Sequence, residues 1–160
     1  MLSTVTAATV LEALGLLIFL IASGFICLHD VESLQIPDRI LLPTMALVTG
    51  CLVLASWLRS DWETFAQGLT GTTFSLVAYL LLYWATQGEL GFGDVKLAGL
   101  LGLVTGWHHA TGPLLAILIT FAVAGLFAIG QIATRKITWH AKFAFAPWMV
   151  FGAVAALTFV

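Results

Sequence analysis

The chain has 160 residues, 61% of them hydrophobic and 9% charged, with mean hydropathy +1.06 and a net charge of −2. A soluble domain carries about 25% charged residues, so a water-soluble globular protein is excluded. The slight acidic balance excludes the basic surface that nucleic-acid binding requires. What remains is an all-α polytopic membrane protein, with one membrane-embedded domain over residues 1–160.

Six apolar segments follow one another: 7–28, 40–58, 68–85, 95–107, 113–133 and 144–160. A membrane span needs roughly 17–25 residues. Five segments meet that length and the fourth falls short. It either borrows from the His108–Thr111 stretch or starts below the membrane surface, which would sink Asp94 into the protein. The expected architecture is a six-transmembrane-helix bundle. Cys27 and Cys51 fall inside apolar runs and form no Cys-x-x-Cys, so they read as small packing residues. The N-terminus lacks a basic region, so the first segment reads as a retained span and not as a cleaved signal. Glu12 lies within that span near its outer end, either at the interface or paired. Pro37 and Pro43 flank the start of the second segment and are expected to fix where that helix begins.

The connections 30–39, 86–94 and 134–143 fall on one side of such a bundle, and 59–67 and 108–112 on the other. Of the six Lys and Arg residues, Arg39, Lys96, Arg135, Lys136 and Lys142 lie on the first side. Only Arg59 lies on the second. The positive-inside rule makes the first side cytoplasmic. Trp57, Trp62 and Trp107 then mark the outer boundary, and Trp84 and Trp139 the inner one, as an aromatic belt. His140 joins the basic cytoplasmic loop, which reads as a topology and anionic-lipid element. Ala98, Gly102 and Gly106 recur at a spacing that lets helices approach closely in lipid.

The chemistry concentrates in Gly91-Phe92-Gly93-Asp94-Val95-Lys96-Leu97. Two glycines allow a sharp turn or a close chain approach. Asp94 then opens an apolar run, where its carboxylate suits a helix cap. A second acid, Asp30, closes the first span on the same predicted side. Acids at the edge of a bilayer are costly unless solvated, paired or used. Two carboxylates at matching depth can share one proton. The ionised member then serves as general base for water and the protonated member as general acid toward a carbonyl. That chemistry needs no metal, cofactor or nucleophilic serine. His108 and His109 lie on the opposite side from the acids with no third ligand near, so no metal site is read there.

Asp30, the Ile36-Pro37-Asp38 element, Gly91-Phe92-Gly93-Asp94-Val95-Lys96-Leu97, Glu89 and Phe145-Ala146-Pro147 together resemble the type IV prepilin peptidases, which are GxGD-type membrane aspartyl proteases. The resemblance covers essentially the whole chain. It implies a single membrane-embedded peptidase domain in the cytoplasmic membrane of a prokaryote. It further implies cleavage of the basic leader of prepilins or pseudopilins at the cytoplasmic face, with Asp30 and Asp94 as the catalytic pair and no cofactor. Gly91, Gly93, Lys96, Glu89, Asp38 and Pro37 would be supporting or substrate-binding residues. Within that set, Asp38 is expected to cap the second helix, and Lys96 to reach the interface or a lipid phosphate. Glu89 is expected either to bind across the turn or to meet substrate. His29 is expected at the interface beside Asp30. Longer members carry two Cys-x-x-Cys pairs linked to N-methylation, which this sequence lacks, so the resemblance is to the short, peptidase-only form. Two other readings are a small ion- or proton-coupled transporter, which would hold its acids near mid-membrane, and an inactive membrane assembly factor.

Overall fold

The computed structural model describes residues 2–133 and 144–159. The loop residues Arg135, Lys136, Trp139, His140 and Lys142 therefore lie outside the described residues. The described residues form six helices and no strand: α1 Leu2–Ser33, α2 Asp38–Arg59, α3 Trp62–Ala85, α4 Phe92–His108, α5 Gly112–Ala133 and α6 Ala146–Phe159. Four of them, α1, α2, α3 and α5, are long and apolar enough to cross a membrane. The protein is an all-α polytopic membrane protein.

Helix limits differ from the apolar segments in an instructive way. Hydropathy marks what touches lipid, whereas backbone hydrogen bonding continues through polar residues. α1 thus runs on past Leu28 to Ser33 and carries Asp30 on helix, not in a loop. It ends where Leu34 turns left-handed at φ 54° and its N–H meets the Asp30 carbonyl at 2.8 Å. Leucine rarely adopts that conformation. α2 starts at Asp38 with Pro37 as its N-cap residue, and it runs straight through Pro43. Pro37 sets the start as expected, and Pro43 does not. α6 has 14 residues, shorter than the apolar segment that contains it.

The short fourth segment gains its missing length at its N-terminus. α4 begins at Phe92 and has 17 residues, about 25 Å of helix. It is the axis of the bundle: from Asp94 to Trp107 every residue except Lys96 is buried. A helix without a polar face suits a place surrounded by other helices. Around α4 the core collects Phe19, Ile26, Leu41, Val48, Tyr79 and Met149 from the other elements.

α3 packs on α4 through small residues from both sides. A methyl built on Gly102 would strike the Gly71 carbonyl and the Ser75 side chain, and one on Gly106 would lie 3.0 Å from the Gly71 Cα. The Gln67 side chain adds a 2.8 Å hydrogen bond to the Gly106 carbonyl. The expected close approach is present at Gly102 and Gly106, and it is made to Gly71 and Ser75 of α3.

The end of the bundle holding the 59–62 connection has its own polar contacts. Arg59 grips the Glu12 carboxylate through both terminal nitrogens, one at 2.9 Å, and also reaches the Thr9 hydroxyl at 3.1 Å. Glu12 is thus paired. Asp61 caps α3 by accepting from the Thr64 hydroxyl at 2.7 Å and the Thr64 N–H at 3.1 Å. These bonds hold its carboxyl below the usual range. Trp57 and Trp62 are exposed there, as a belt requires, and so is Trp84 at the other end. Trp107 is not a belt residue. It is 7% exposed, because it lies on the central helix and packs inward.

Candidate active site

The opposite end brings together the last turns of α1 and the first turns of α2, α4 and α6. Asp30 and Asp94 are both there, 5% and 7% exposed, and the Asp30 charge acts on Asp94. Burying two carboxylates together is expensive unless backbone donors or a shared proton offset it. Each has a backbone donor among the described residues. The Ala146 N–H, at the start of α6, donates to Asp30 Oδ2 at 2.9 Å. The Gly91 N–H donates to Asp94 Oδ2 at 3.1 Å. Both donors belong to helix N-termini, where unpaired N–H groups favour negative charge. Among the described residues the salt bridges are Arg59–Glu12 and Lys96–Asp38, so neither buried acid has a cationic partner.

Asp94 caps its helix, but not as the residue that starts it. Gly91 is the N-cap and Asp94 is the third helical residue. Its side chain reaches back to the Gly91 N–H while its own N–H donates to the Gly91 carbonyl at 3.0 Å. This is the acidic half of a capping box. Part of the carboxylate's bonding capacity therefore holds up the local structure.

The two glycines do different things. Gly91 has ordinary extended backbone, φ −65° and ψ 140°. The sharp reversal comes earlier, where Gln87 and Gly88 take positive φ. Gly93 serves close approach: a methyl there would lie 2.9 Å from Ile36 Cβ. Its bare backbone lets the 34–37 connection lie directly on the first turn of α4. Gly93→Ala is accordingly expected to lift that connection and reduce function, and Gly91→Ala to be milder, since its methyl would meet only Asp94 Oδ2 at 3.1 Å. Amide hydrogen exchange over residues 34–38 checks this: the first variant should accelerate it and the second should not.

Asp38 does not cap α2 with its side chain. It accepts from Lys96 instead, with Nζ at 2.8 Å from Oδ1 and 2.7 Å from Oδ2. Lys96 is thus paired with Asp38 and partly exposed. Its ammonium also lies 5.4 Å from the centre of the Phe92 ring. Pro37 is half-buried, and its carbonyl accepts from the Ile40 and Leu41 N–H groups at 3.0 and 3.1 Å. Glu89 is exposed in the turn before α4, with its N–H on the Thr86 carbonyl at 3.1 Å. His29 is exposed, and its ring bonds to the Ser33 hydroxyl at 2.7 Å and the Gln35 carbonyl at 3.1 Å, closing the end of α1.

Tyr79 on α3 is a site neighbour that sequence reasoning missed. It is 2% exposed, its phenol lies near Thr120 on α5, and the Asp94 charge acts on it. Its ring packs on Phe121 at 5.9 Å and Phe145 at 6.4 Å, centroid to centroid. Phe145 immediately precedes the Ala146 N–H that holds Asp30. A phenol deep in an apolar run was the available signal, since a buried tyrosine hydroxyl needs a polar partner. Among the described residues no group of three or more His, Cys, Asp or Glu side chains could hold a metal ion.

The site can be set beside known proteins. A prepilin leader peptidase/N-methyltransferase of Burkholderia pseudomallei strain K96243 is 29% identical over 159 residues, 93% of this chain and 46% of its own length. One from Bacillus subtilis strain 168 is 23% identical over 146 residues, 91% of this chain and 56% of its own. The chain thus spans about half the length of the curated relatives it matches. No solved structure matches. The profile of the type IV leader peptidase family matches residues 16–129, a stretch that holds Asp30, Asp38 and the whole Gly91–Leu97 element. The chain belongs to the type IV leader peptidase family.

Proposed function

We propose that this chain is an intramembrane aspartyl endopeptidase that removes the basic leader of type IV prepilins or pilin-like proteins. Asp30 and Asp94 form its catalytic pair, at the cytoplasmic face of a prokaryotic inner membrane. The observation that carries the proposal is the burial of two carboxylates in one cluster, each bonded to a helix N-terminal N–H and, among the described residues, neither bonded to a cation.

The pair shares one proton, because two like charges in a poorly solvated site do not both persist. The ionised member takes a proton from water as that water attacks the scissile carbonyl carbon. The protonated member gives its proton to the carbonyl oxygen. Collapse of the resulting diol then releases the leader carboxyl and the new amino terminus. The acids lie at one end of the bundle and not at its middle, which favours this chemistry over ion relay across a membrane. The substrate's own apolar helix stays in lipid, and the bond to be cut must lie just outside it. The proposal covers leader hydrolysis alone.

The test is co-expression with prepilins that carry a basic leader, a glycine and a long apolar helix, following leader removal by mobility shift. A faster-migrating product whose new N-terminus directly follows the glycine supports the reading. Unprocessed substrate across several such prepilins, with the peptidase present in the membrane fraction, would falsify it.

A further inference from the structure

We propose that Lys96 and Asp38 form a clasp that positions Asp94, and that neither charge serves as a substrate contact; its kinetic consequence rests on the peptidase reading above. The contacts lie on both sides of the catalytic turn. On one side of Asp94, Gly93 lets Ile36 seat against α4. On the other, Lys96 spans from α4 to the first residue of α2 and grips both oxygens of Asp38. Phe92, one residue before Gly93, lies beneath the same ammonium and edge-on to Tyr83 of α3 at 5.7 Å. The turn holding Asp94 is thereby fixed to the α1–α2 connection, and Asp30 lies one helical turn before that connection begins.

The pair is partly open to solvent, with side-chain exposures of 31% for Lys96 and 52% for Asp38. An ion pair of that kind contributes little to overall stability. Its geometry is nonetheless two-pronged and joins elements far apart in sequence. A clasp of this type sets the relative placement of two reacting groups, where small displacements are expensive. Both Asp38 oxygens accept from Lys96, so the Asp38 charge is already matched by a cation of this chain before a basic leader arrives.

The test uses the full chain in nanodiscs with a prepilin substrate. Asp38→Asn and Lys96→Met are each expected to lower kcat about 10- to 100-fold while KM stays within about twofold. The double variant should be no worse than either single one, and Asp38→Glu with Lys96→Arg should recover most of the loss. Arg59→Met breaks a less exposed ion pair at the other end of the bundle and should leave kcat unchanged. Amide exchange is the second readout: each clasp variant should speed exchange at both 34–38 and 91–94, by about tenfold. The proposal is overturned if Asp38→Asn raises KM with kcat intact, if the two single losses multiply in the double variant, or if Arg59→Met costs as much. It also fails if exchange changes at only one of the two segments. Should the wild type cleave no prepilin, the peptidase reading falls, whereas the exchange pattern still decides whether the clasp exists.

Discussion

Asp30→Asn and Asp94→Asn, made separately, are each expected to reduce leader cleavage by about 10⁴-fold or more, with the protein still folded. Asparagine keeps the shape and an acceptor oxygen. Residue 30 can still accept from the Ala146 N–H, and residue 94 from the Gly91 N–H, so the starts of α6 and α4 keep their bonds. What disappears is the ability to exchange a proton. With one carboxyl left, the site has either a base or an acid but not both, and each half-reaction needs both. Removing a buried carboxylate also relieves desolvation, so thermal stability should hold or rise. The double variant should be no slower than either single one, because groups that act as a unit do not lose rate additively. The measurement is a time course of leader removal beside a melting curve for each variant. A single Asn variant that cleaves at the wild-type rate removes that aspartate from the mechanism. A variant that loses activity and melts far below wild type would point to a structural role instead.

Both acids were legible in the sequence because charge is conspicuous in an apolar chain. Asp30 and Asp94 each interrupt hydrophobic runs, and alternation of spans puts them on one side without any tertiary information. Their partners were not legible. The donor to Asp30 is the backbone N–H of Ala146, which no side-chain pattern advertises. Lys96 and Asp38 are 58 positions apart, and only the packing of α2 against α4 makes them neighbours. Gly91 and Gly93 looked like one turn signal, yet one is an ordinary N-cap and the other a seat for Ile36. Trp107 was misassigned because belt placement assumes a lipid-facing helix, and α4 faces lipid almost nowhere. Hydropathy gives the order and number of helices well. It cannot say which helix is central, because core and lipid are both apolar.

That central position makes the α3–α4 crossing the other place where one substitution should act strongly. Gly71→Val and Gly102→Val are each expected to lower the unfolding temperature in detergent by about 6–12 °C, taking about 3 kcal/mol for overpacking a rigid site and about 2–4 °C per kcal/mol at this chain length. The obstacle is backbone, not a side chain that can swing away. A methyl at Gly71 would meet the Gly102 carbonyl, Pro113 Cγ at 2.9 Å and Gly106 Cα at 3.0 Å, and a methyl at Gly102 would meet the Gly71 carbonyl in return. Relief requires the two helices to part, which also strains the start of α5 at Pro113. Gly50→Ala and Gly125→Ala are the matched controls, since nothing lies within 4 Å of a methyl at either position. They should hold or gain stability, by up to about 1 kcal/mol from helix propensity. The crossing should also reach the acids. Tyr79 lies about 12 Å along α3 from Gly71, and Asp94 the same distance along α4 from Gly102. Parting the helices at one point therefore separates the phenol from the carboxylate at the other. Cleavage should fall in both valine variants at temperatures where they remain folded, and not in the alanine controls. Unchanged melting in Gly102→Val would mean that α3 and α4 are not held at the close approach described here.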